Sequence, residues 1–117
     1  MPRPATDPAK AAQTKVLRQQ AGRWLKTARE TAGITQAELA ERVGLRYYTF
    51  VSQVESGLGR LPIETQGAWA EALGLEPGDF AKTLLRYYEP ELYRLLFSAE
   101  STGQSLTGPA LVGRAAG

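Results

Sequence analysis

The stretch that most constrains this chain is residues 34–57, ITQAELAERVGLRYYTFVSQVESG. Its punctuation leaves room for two short helices and little else. Thr35 followed by Glu38 forms a capping box, the reciprocal arrangement that opens a helix. Leu39, Ala40 and Val43 then recur at helical spacing, and Gly44 falls where a helix ends on a left-handed residue. A second segment, about 47–56, carries an apolar period through Tyr47, Val51 and Val54 and stops at Gly57. TFVSQV has some strand character, but glycine on both sides argues against a strand.

On a helical wheel at about 100° per residue, Tyr47, Val51 and Val54 face inward, with Glu55 at the edge of that face. Arg46, Thr49, Ser52, Gln53 and Ser56 collect on the other side, flanked by Tyr48 and Phe50. Hydroxyls, an amide and a guanidinium on one exposed face are what base-edge reading requires. Gln pairs in two places with adenine, Arg does so with guanine, and Ser and Thr adapt to either.

Two short helices about a glycine turn make the helix-turn-helix unit. Here the sequence resembles the Cro and phage-repressor (Xre-type) helix-turn-helix family. ITQAELAERVG, VSQVESG and a later AEALGL carry the resemblance, over about residues 23–80. One departure stands out: the run from Gly44 to the closing Glu55-Ser56-Gly57 is about one residue longer than the family's usual spacing. The resemblance implies a compact all-α bundle of five to six helices that binds double-stranded DNA. It places base-reading at Thr49 and Gln53; the helical wheel adds Ser52 on the same face, with Arg46 and Tyr48 beside the lengthened turn. It also puts Gln36 on a DNA phosphate, where free N–H groups at a helix start favour an anion. Arg60, in the loop after the second helix, and Arg23 and Lys26, on the preceding helix, are further phosphate candidates. Arg29 and Glu55 take the positions of a partly buried ion pair that ties the first helix to the third.

Composition narrows the alternatives. A chain of 117 residues with 43% apolar content supports one domain with a modest core. With neither cysteine nor histidine, the usual zinc sets and His-activated nucleophiles are absent. No glycine-rich phosphate loop accompanies the carboxylates Glu38, Glu41 and Glu55. An enzyme is therefore not expected, nor is a cofactor or metal. No apolar run reaches a membrane span of ~18 residues, and MPRPATDPAK lacks the apolar core of a signal peptide. A cytoplasmic protein associated with the nucleoid through DNA is expected. Residues 1–60 carry ten Lys/Arg against five acids, whereas residues 61–117 carry four against seven. A basic half that holds the helix-turn-helix suits nucleic-acid binding at one end.

Around this unit, residues 1–9, with three prolines, read as a disordered arm. From about Lys10, Val16, Leu17, Ala21, Trp24, Leu25 and Ala28 follow a helical period to Gly33. This is either one long helix to Ala32 or a short lead-in joined near Gly22, where a mid-helix glycine costs ~1 kcal/mol against alanine and favours a break. A fourth helix over 63–73 packs Ile63, Trp69, Ala70 and Leu73. A fifth opens at Pro77 or Asp79, with Phe80, Leu84 and Tyr87 or Tyr88 inward. After Pro90, PELYRLLF forms a short sixth helix, and residues from 98 onward read as a flexible tail. Residues 10–97 thus form the domain. Its extension over 83–97 exposes more apolar surface than a short helix hides on itself. Leu84, Tyr88, Leu92, Tyr93, Leu95, Leu96 and Phe97 are the expected homodimer interface.

The leading expectation is a sequence-specific transcriptional regulator, a repressor acting as a homodimer. An antitoxin-like protein is the alternative; it would bind its own operator and hold a partner protein with its C-terminal helices.

Overall fold

Six helices follow one another between Pro8 and Thr102: α1 (Pro8–Thr31), α2 (Gln36–Arg42), α3 (Thr49–Ser56), α4 (Ile63–Leu73), α5 (Pro77–Tyr88) and α6 (Pro90–Thr102). The computed structural model describes residues 7–102, and no strand occurs among them. The all-α expectation matches this architecture. α1 packs across α3 and α5, α4 lies on α5, and α2 bridges α3 and α4.

Local chemistry sets most of the boundaries. The Asp7 carboxylate accepts the Ala9 N–H at 3.0 Å, and Pro8 takes the first helical position, where its missing N–H costs nothing. At α2 the capping box closes in both directions. Glu38 N–H donates to Thr35 Oγ1 at 3.0 Å, and Thr35 N–H donates to Glu38 Oε1 at 2.8 Å. The Glu76 carboxylate accepts from Asp79 N–H at 2.7 Å, so α5 opens at Pro77. Glu89, kept out of helical geometry ahead of Pro90, ends α5, and Pro90 starts α6.

The core joins Ala21 and Leu25 of α1 to Leu39, Ala40, Val51, Val54, Trp69, Ala70, Leu73, Phe80 and Leu84, with Leu61 from the loop after α3. Each large apolar side chain removed from water in this way contributes about 1.5–3 kcal/mol. Two aromatic contacts orient the packing: Trp24 lies 5.6 Å from Phe80, and Phe50 meets Trp69 edge-on at 6.3 Å.

Several expectations need correction. α1 runs unbroken through Gly22. Gly22 serves close approach, because a Cβ there would sit 2.2 Å from the Glu55 carbonyl oxygen and 2.7 Å from that of Val54. The helix tolerates the glycine because α3 crosses directly over it. Pro8 and Ala9, expected in a disordered arm, are helical because Asp7 caps them; residues 1–6 lie outside the described residues. The expected tail begins too early at 98, since α6 continues through Thr102; residues 103–117 lie outside the described residues.

Ile63, expected in the core, is 73% exposed, and Leu61, two residues earlier, is buried in its place. Leu61 is held from both sides, its N–H donating to the Tyr88 hydroxyl and its carbonyl accepting from Gln66 Nε2, each at 3.0 Å. Leu84 and Tyr88, expected at a dimer interface, are buried inside the domain, where they line α5 against its neighbours. Burial of Tyr88 pushes its hydroxyl above the ordinary pKa, against the weaker opposing effect of the Leu61 N–H. Leu92, Leu95 and Leu96 are exposed on α6, while Tyr93 and Phe97 are half-buried with their tilted rings 4.9 Å apart.

Candidate nucleic-acid interface

α2 and α3 flank a six-residue connection, residues 43–48, whose second residue, Gly44, has φ 81°. Leu45 is half-buried there, and its N–H donates to the Ala40 carbonyl at 2.8 Å, which pins the start of the turn. α3 then begins at Thr49, two residues later than the apolar period suggests. Tyr47, expected in the core, therefore stands outside the helix and is 70% exposed. The longer turn is the physical reason: the helical register of Val51 and Val54 does not extend back to Tyr47.

The exposed side of α3 carries Thr49, Gln53 and Ser56, with Ser52 half-buried beside them. The Ser56 hydroxyl donates to the Gln53 carbonyl at 3.0 Å, so it closes the helix end. Arg46 and Tyr48 are exposed just ahead of α3. All five candidate base-readers thus lie within one short helix and the turn that feeds it. Phe50, taken as a flank, is turned inward onto Trp69.

Beneath this surface lies a buried polar knot. Arg29 Nε donates to Glu55 Oε2 at 2.7 Å and Arg29 Nη2 to Glu55 Oε1 at 3.1 Å, while Nη1 donates to the Ile34 carbonyl at 2.9 Å. Both residues are under 10% exposed. The bond to Glu55 raises the Arg29 pKa above its ordinary value, against the opposing effect of burial. Gln36 completes the knot by donating Nε2 to Glu55 Oε1 at 2.9 Å. One carboxylate therefore ties α1, the start of α2 and α3 together. This use of the Gln36 amide was not legible from its helix-start position alone, which pointed outward to phosphate.

The remaining phosphate candidates separate. Arg23 and Lys26 are exposed on α1. Arg60 is drawn to the α5–α6 junction, where its guanidinium bonds Glu89 at 3.0 Å and lies 4.7 Å from the Tyr88 ring centre. Among the described residues no cluster of acidic side chains could hold a metal ion, and no helix is long and apolar enough to cross a membrane.

Comparison with protein families matches the chain to a family described as helix-turn-helix, over residues 25–80. That span runs from Leu25 in the middle of α1 to Phe80 in the first turns of α5, so α2 and α3 lie wholly inside it. No curated protein matches the chain.

Proposed function

Residues 25–80 belong to the Xre-type helix-turn-helix family, and from that premise we propose that this DNA-binding regulator is a sequence-specific repressor that acts as a homodimer. The observation that carries the reading is the composition of α3. It buries Val51 and Val54 completely while leaving Thr49 and Gln53 exposed on its other side. In helix-turn-helix proteins the second helix enters the major groove with its N-terminal residues at base edges, and the first crosses the backbone. Thr49, Ser52 and Gln53 then read bases, with Arg46 and Tyr48 ahead of them, while Gln36, Arg23 and Lys26 lie toward phosphates.

One such helix spans only a few base pairs. Two half-sites about 34 Å apart give the specificity a genome demands. Leu92, Leu95 and Leu96 leave an apolar strip exposed on α6, and this strip, without Leu84 and Tyr88, is the proposed homodimer surface.

The reading is tested by the variants Gln53→Ala and Gln36→Ala on cognate and random duplexes. Gln53→Ala should lose preference at one base pair, about 1–3 kcal/mol, while leaving random-sequence affinity nearly unchanged. Gln36→Ala should weaken both duplexes alike. Equal losses on both duplexes for Gln53→Ala would remove it from the readers.

A further inference from the structure

The lengthened turn has a consequence for a residue that the base-reading face does not include. Tyr47 stands 70% exposed, whereas Phe50, three residues later, is packed onto Trp69. The segment can bury an aromatic ring, yet Tyr47 is left in solvent. Its backbone is held on both sides, by the Leu45 N–H to the Ala40 carbonyl at 2.8 Å and by the Ser52 N–H to the Tyr48 carbonyl at 3.0 Å. Tyr47 lines a shallow concavity together with Ala37, Ala40, Glu41, Leu45 and Tyr48.

Position then identifies what the ring meets. If α3 enters the major groove by its N-terminus while α2 crosses the backbone, the connection between them passes over the groove edge. Tyr47 lies between the last turn of α2 and the first residue of α3, outside the helix that carries Thr49, Ser52 and Gln53. We propose that Tyr47 is a DNA-backbone contact, its hydroxyl donating to a phosphate oxygen at the edge of the groove and its ring covering the adjacent deoxyribose. This rests on α3 being the recognition helix. A phenol supplies one donor and no charge at neutral pH, so Tyr47 sets the seating of the turn without reading sequence and without releasing a counterion.

The test compares the full chain with Tyr47→Phe and Tyr47→Ala on the preferred duplex and on a random-sequence duplex, across a salt titration. Tyr47→Phe should weaken both duplexes about ten- to a hundredfold, the loss of one hydrogen bond to a charged group. Tyr47→Ala should weaken both further. The log–log salt slope should stay at its wild-type value in both variants, because that slope counts only neutralised phosphates. Melting temperatures should also be unchanged, since the side chain is exposed. Unaltered affinity in both variants overturns the contact, and a loss confined to one base pair overturns its assignment to the backbone. A wild-type chain that binds no duplex overturns the recognition-helix reading itself, an outcome distinct from either.

Discussion

Gly22→Ala should lower the melting temperature by about 10–20 °C, although the same change at most helix interiors stabilises. Alanine exceeds glycine in helix propensity by ~1 kcal/mol, so propensity alone predicts a gain at position 22. The crossing of α1 over α3 reverses the sign. A Cβ at Gly22 would lie 2.2 Å from the Glu55 carbonyl oxygen, 2.6 Å from its carbon and 2.7 Å from the Val54 carbonyl oxygen. These are backbone atoms and cannot rotate away, so the two helices must part. Separation also loosens Val51 and Val54, both fully buried. Overpacking of this kind costs about 3 kcal/mol or more, and each kcal/mol moves the midpoint of a domain this size by roughly 4–8 °C. Gly67→Ala is the control. Gly67 lies inside α4 with nothing within 4 Å of its would-be Cβ, and that variant should gain about 0.5–1 kcal/mol. Thermal melts of the two variants should move in opposite directions. A Gly22→Ala midpoint at or above wild type would contradict the helix crossing.

Glu55→Ala should cost about 3–5 kcal/mol in urea unfolding, because it strands a buried guanidinium. Arg29 would keep its bond to the Ile34 carbonyl, which places the loss toward the lower end. Gln36 would lose its acceptor as well, so the start of α2 should loosen along with α1 and α3. Removing both charges is a different experiment. Replacing Arg29 by Met and Glu55 by Leu together should recover most of the loss, since a buried ion pair returns little net stability over well-packed apolar groups. A double variant as unstable as Glu55→Ala would show that the pair contributes more than mutual neutralisation.

Much of this fold could be read from local signals, and what escaped depended on tertiary packing. The Thr35–Glu38 capping box and the glycine after each of the first four helices have local causes, and α2 and α4 lie where those signals put them. Arg29 and Glu55, paired by family resemblance, lie 2.7 Å apart. Gly22 was misjudged because its reason is a carbonyl on another helix, 33 positions along the chain. Ile63 and Leu61 exchanged roles because the Leu61 N–H donates to the Tyr88 hydroxyl and its carbonyl accepts from Gln66, which holds the loop with Leu61 inward as no helical period encodes. Leu84 and Tyr88 gave an interface-like pattern because a core face and a partner face are equally apolar in sequence. In the candidate site the α3 face from Thr49 to Gln53 was legible, since Val51 and Val54 set its register. Tyr47 was not, because the added turn length broke that register before the helix began.

On the proposed reading, α3 reads base sequence in duplex DNA and does so in pairs. Selection of bound duplexes from a random pool tests it directly with the full chain. A palindromic product is predicted, with half-sites centred about 34 Å apart or a whole multiple of that distance. A pool that stays random after selection, with affinity that falls with salt but favours no sequence, would contradict base reading by α3.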